Sequence, residues 1–185
     1  QAEDGIRDYK VTGVQTCALP ILKPEQLIQV DANGTVRQGD GRASAETLLH
    51  LRIVACCGAG AVLHTHSPSA TLLSRWHAPQ GSASLTWLEL EGYEMLKGLE
   101  GIKTHATTVQ VPVLDNDQDI GHLAERAEPA LATAPYGLLV AGHGLYAWGD
   151  DLAMARRHLE IHEFLLEQRW RQLLLEGLRV RGGAV

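Results

Sequence analysis

The chain has 185 residues, with 45% hydrophobic and 21% charged side chains, a balance that suits one ordinary domain and excludes a disordered or collagen-like polymer. Its formal charge of −6, with no run of lysines or arginines, argues against nucleic acid or an anionic membrane surface as partner. No stretch of about 18 uncharged apolar residues is present to span a bilayer, and three cysteines with neither a CxxC spacing nor an even count fit a reducing cytoplasm.

Residues 1–21 stand apart from the rest. They show neither helical nor strand periodicity, and they lack the basic start and apolar stretch of a secretory signal. The segment VTGVQTCALPI resembles a translated sequencing adapter. The expectation is that residues 1–21 are non-native, that 22–185 form the domain, and that a genuine N-terminal portion is missing.

From Leu22 onward the pattern is regular. LIQVDANGTVRQ reads as two strands either side of Asn33-Gly34, a pair suited to a tight hairpin turn. Ser44 reads as the N-cap of a helix over 45–57 with Leu48, Leu49, Ile53 and Cys56 on its apolar side. Gly58-Ala59-Gly60 stops it, and 61–64 make a short buried strand. Ser67-Pro68 then opens a second helix, over about 69–76. SLTWLEL alternates as a strand, and 91–99 carry a short helical segment. TTVQVPVL (107–114) alternates again, with Pro112 favouring a strand end or an edge. The polar stretch after Leu114 enters another helix. GLLVAGHGLYAW is expected to be a long apolar strand region broken by a bulge or close approach at Gly142 and Gly144. Asp150 is expected to cap a last helix reaching about Glu176. The order is that of a single layered α/β domain.

Nine histidines against one phenylalanine mark where chemistry should be sought. His64 and His66 end a strand, where residues i and i+2 share a face and two imidazoles converge. His143 sits between two glycines in the second apolar strand region. Three imidazoles with an open fourth position make a catalytic zinc site, and flanking glycines let metal and substrate approach the backbone. On pattern alone, a polar strand end plus a turn explains the same residues equally well. His158 and His162 share a helix face, but Leu159 stands where HExxH needs glutamate, so this pair reads as structural or interfacial. His50 pairs with Glu46 on one helix face. His77, His105 and His122 fall in loop-like contexts and are expected to be solvated.

HTHSPSATLLS (64–74), LELEGYEMLKGL (88–99), VPVLDNDQDI (111–120) and GHGLYAWGDDLAMARRHLEIHEFLLE (142–167) occur in an order that resembles the class II aldolase/adducin family. Within it, GYEMLKG and the RHLE…EFLLE helix are similar to a dehydratase branch. The resemblance covers nearly all of 22–172. It implies a class II aldolase-like fold, a central and mainly antiparallel β-sheet flanked by helices. It also implies a cytoplasmic homotetramer with one Zn2+ per subunit on His64, His66 and His143, and Glu94 as general acid/base. The implied activity is zinc-dependent dehydration of 5-methylthioribulose 1-phosphate to 2,3-diketo-5-methylthiopentyl 1-phosphate in methionine salvage. Alternatives on the same resemblance are a sugar-phosphate aldolase or 4-epimerase, or a non-catalytic adducin-like interaction domain. The family's phosphate-holding loop would lie before Leu22, so no phosphate-binding residue is assigned. Three imidazoles equally suit iron, cobalt or nickel.

Overall fold

The computed structural model describes residues 27–81 and 83–182; the expectation about residues 1–21 lies outside them. A small hairpin, β1 (Gln29–Val30) and β2 (Val36–Gln38), precedes the main body. Its turn is longer than a two-residue Asn-Gly loop. The Asp31 carboxylate accepts the N–H groups of Asn33 and Thr35, and Gly34 takes φ +76° within the connection.

Among the described residues the body is one sheet of five strands with helices on both faces. β3 (Ala61–Thr65), β4 (Leu85–Glu91), β5 (Thr108–Leu114), β6 (Gly137–Val140) and β7 (Gly144–Gly149) lie in the order β3-β7-β6-β5-β4. The β3–β7, β7–β6 and β5–β4 pairs are antiparallel, and only β5–β6 is parallel. This is the expected α/β architecture with a mainly antiparallel sheet.

Strand alternation sends side chains to two separate cores. On one face Leu88, Leu90, Val109, Val111, Leu139 and Leu145 pack beneath α2 (Pro68–Trp76) and α4 (Leu152–Gly182). On the other, Leu114, Leu138, Val140, Tyr146 and Trp148 pack beneath α1 (Thr47–Cys57) and α3 (Ile120–Leu131). The turn from β4 to β5 carries a short 3₁₀ segment, Glu94–Gly98, pinned by buried Leu96.

Four local expectations are corrected. The apolar run 137–149 is a hairpin rather than one interrupted strand: β6 reverses into β7 through a turn closed by His143 N–H donating to the Val140 carbonyl at 3.0 Å. Gly142 supplies that turn's positive φ of +66°. Pro112 lies within β5, tolerated because β6 pairs with β5 only at Val113 and Leu114. The last helix is capped by Asp151, whose carboxylate accepts Met154 N–H at 2.7 Å, and it runs to Gly182. On α1 the fully buried pair is Leu49 and Ile53, whereas Leu48 and Cys56 are exposed.

Candidate metal centre

Three chain segments meet at one end of the sheet. β3 ends in His64-Thr65-His66, the β6–β7 turn presents His143, and the start of α1 presents Glu46. One ligand atom from each of these four side chains falls within 4.8 Å of every other. His64 Nε2 is 2.6 Å from His66 Nε2, and the Glu46 carboxylate oxygen is 3.1 Å from His143 Nε2, 3.8 Å from His64 Nε2 and 4.0 Å from His66 Nε2. The site opens on a cavity of about 470 Å³, lined among others by Glu46, His66, His143, Asn116 and Asp117. That volume accommodates a small substrate.

Two of these histidines are held from behind. His64 Nδ1–H donates to the Leu145 carbonyl at 2.8 Å, which leaves Nε2 as a bare lone pair turned toward the other three groups. Thr65, between the two histidines, points to the opposite face of the sheet, and its hydroxyl donates to Glu163 of α4. The His143 turn is clamped by α2. Ser74 Oγ accepts Gly142 N–H at 3.1 Å, and Thr71 Oγ1 donates to the His143 carbonyl at 3.2 Å. Gly144 is there for close approach, since a Cβ on it would stand 2.1 Å from the Thr65 carbonyl oxygen and 2.8 Å from His66 Cδ2. The two glycines around His143 thus serve the turn and the β3–β7 contact.

The electrostatics favour metal-ready ligands. Burial drives the His64 pKa down to about 3, and burial followed by the nearby His143 lowers that of His66, so both imidazoles are neutral at physiological pH. Burial acts to raise the Glu46 pKa. The His143 hydrogen bond and the neighbouring imidazoles outweigh it, and the carboxylate stays ionised. Two neutral nitrogens facing each other at 2.6 Å and a carboxylate beside a third form a donor set suited to a divalent cation.

Glu46 was missed as a site residue, yet a signal existed. Glu46, Leu49, His50 and Ile53 follow the i, i+3, i+4, i+7 spacing of one helix face, so two polar groups share the buried stripe. The carboxylate turns to His143 instead of pairing with His50. Glu94 lies elsewhere, exposed on the 3₁₀ segment, paired with Lys97 and 3.2 Å from His105. Its hydrogen bond to Lys97 lowers its pKa, and it is neither in the four-residue group nor among the cavity's lining residues.

The other histidines sort by burial. His158 and His162 are completely buried. His158 Nδ1–H donates to the Trp148 carbonyl and His162 Nε2–H to that of Pro135, at 2.7 and 2.9 Å, so both are structural. His105 and His122 are exposed as expected, with His122 on Asp117 at 2.9 Å. His77 is partly buried, and its Nε2 meets no partner among the described residues.

Fold and site together define a mixed-sheet α/β protein with an open three-histidine, one-carboxylate centre able to hold a divalent metal. The sequence profile of the Class II Aldolase and Adducin N-terminal domain family matches residues 13–170, and the chain belongs to that family. It is 46% identical over 164 residues to the methylthioribulose-1-phosphate dehydratase of Xanthomonas oryzae pv. oryzae (strain PXO99A), covering 85% of this chain and 69% of the relative. The dehydratase of the same name from Marinobacter nauticus is 49% identical over 155 residues, 82% of this chain and 70% of that one. Among solved structures, an L-fuculose 1-phosphate aldolase matches with TM-score 0.66 at 20% identity, over 88% of this chain and 69% of the other, a likeness of fold alone. The L-fuculose-1-phosphate aldolase of Thermus thermophilus matches with TM-score 0.57 at 28% identity, over 88% and 75%.

Proposed function

We propose that the chain is a lyase that removes water from 5-methylthioribulose 1-phosphate to give 2,3-diketo-5-methylthiopentyl 1-phosphate in methionine salvage. The observation that carries this reading is the convergence of His64, His66, His143 and Glu46, the last three of them at the wall of an open cavity. Relatives at 46% and 49% identity named for this dehydration support it. His64, His66 and His143 are taken as ligands of one divalent cation per subunit, zinc by the family resemblance. A cation bound there supplies Lewis-acid polarisation of a substrate carbonyl.

The protein's own groups move the protons. Dehydration removes the C3 proton and protonates the C4 hydroxyl, which departs as water; the resulting enol gains a proton at C4 and loses one from its C3 oxygen. Glu46 lines the cavity and is ionised, which suits it to take the C3 proton. Glu94 keeps the acid/base role that the resemblance implies. It is exposed and outside the cavity lining of its own chain, so within the homotetramer of the same proposal this role requires that a neighbouring copy bring it to a site. No helix among the described residues is long and apolar enough to cross a membrane, and the proposal places the assembly in the cytoplasm.

The test is a product assay. The zinc-loaded protein is incubated with 5-methylthioribulose 1-phosphate, and diketone is trapped with an aromatic ortho-diamine. Dehydration yields the trapped diketone; aldehyde fragments without diketone would mean aldol cleavage instead. Failure to bind metal at all would mean a non-catalytic domain.

A further inference from the structure

We propose that Tyr146 is a positioning residue for His64, and that its stacked ring sets the affinity of the histidine group for a divalent cation. The inference rests on reading that group as a metal centre.

His64 and Tyr146 are direct cross-strand partners in the antiparallel β3–β7 pair, so their side chains leave the same face of the sheet side by side. The two rings stack with centroids 3.9 Å apart and planes 18° from parallel. The residue before Tyr146 supplies the Leu145 carbonyl that accepts His64 Nδ1–H at 2.8 Å. One strand therefore fixes the imidazole twice. The stack sets the plane of the ring, and the hydrogen bond sets its rotation and tautomer. Both constraints are needed to aim Nε2 at His66 Nε2 and the Glu46 carboxylate. His50, from α1, closes the far side with its ring edge-on to both, 5.3 Å from Tyr146 and 6.3 Å from His64.

Filling the core does not account for this residue. Tyr146 is fully buried, and its hydroxyl meets no hydrogen-bond partner among the described residues, although a buried polar group left unpaired is a burden on stability. The flat ring against His64 is the feature a leucine would lack. Groups that orient a metal-bound imidazole from behind are typically worth about 10- to 100-fold in metal affinity.

The experiment measures zinc affinity of the full chain by competition with a chromophoric chelator, alongside the visible spectrum of the cobalt-substituted protein. Tyr146→Phe keeps the stack and is expected to bind zinc within about threefold of wild type. Tyr146→Leu is expected to bind at least about tenfold more weakly, with altered cobalt bands, in protein whose circular dichroism is native. Tyr146→Met, which fills similar space without a flat ring, repeats the test should the leucine variant fold poorly. Wild-type affinity in a folded Leu or Met variant would overturn the proposal, as would a Phe variant as weak as they are. His64→Ala is the separate control. If it binds zinc like wild type, the metal centre itself is misread.

Discussion

Replacing His162 by glutamine isolates the pH dependence of one buried imidazole. Glutamine keeps an N–H able to reach the Pro135 carbonyl and does not titrate. Burial pushes the His162 pKa down to about 4 from an ordinary 6.5, because a charged ring inside the apolar packing of α4 has lost its water. Above pH 6.5 both folded and unfolded chains hold the ring neutral, and the group leaves stability unchanged. As the pH falls from 6.5 toward 4, only the unfolded chain takes up the proton, and stability is lost at about 1.4 kcal/mol per pH unit. The full loss is roughly 3.4 kcal/mol, of which about 2 kcal/mol falls between pH 7 and pH 5. That is a large fraction of the roughly 5–15 kcal/mol that holds a domain folded. Urea unfolding of wild type and His162→Gln at pH 7, 6 and 5 measures it, since carboxylate titrations common to both proteins cancel in the difference. Wild type should lose about 2 kcal/mol more than the variant over that span. Parallel stability curves would refute the assignment of a neutral buried His162.

Three further outcomes follow from the centre. His66→Ala should abolish stoichiometric zinc; retention of one zinc per chain by elemental analysis would refute the ligand set. Glu94→Gln should keep zinc yet lose roughly 10²- to 10⁴-fold in turnover, and near-wild-type diketone formation would remove Glu94 from the mechanism. Gly144→Ala drives a methyl to 2.1 Å from the Thr65 carbonyl, more than 1 Å inside ordinary contact, and must part β3 from β7. It should cost about 1–3 kcal/mol or more in thermal stability and weaken zinc binding; an unchanged melting temperature and zinc affinity would show that the strands are not held this closely.

Much of this structure was legible in the sequence, and the failures share a cause. Ser67-Pro68 announced α2, and the Ser67 hydroxyl does cap it, accepting Ala70 N–H at 3.1 Å. The alternation in 85–91 and 108–114 gave real strands because this end of the sheet has one covered face: Leu88, Leu90, Val109 and Val111 are buried, while Glu89, Glu91, Thr108 and Gln110 face outward and are exposed. HTH and GHG pointed to one site because i, i+2 geometry and glycine chemistry are local properties. Glu46 escaped because its one local sign, a place on the buried stripe beside His50, fits a Glu46–His50 pair equally well, and its actual partner depends on where the start of α1 docks. The hairpin at 137–149 escaped because an apolar run of that length carries no sign of reversal except Gly142, whose positive φ reads equally as a bulge. The partial burial of His77 is not legible because the sequence does not show that α2 packs against α4.

The position of β3 has a consequence for how the sheet is kept whole. Among the described residues it is an edge strand, bonded only to β7, and an edge is where a sheet frays first and where foreign strands add. A cation held by His64 and His66 together with His143, as proposed, would act as a clasp between residues about 77 positions apart in the chain. By the loop-entropy argument used for disulfides, such a cross-link is worth on the order of 4.5 kcal/mol against unfolding. In the proposed enzyme one cation would thus serve both the chemistry and the fastening of the sheet's open border, and demetallation would offer that border to aggregation as well as silencing the chemistry.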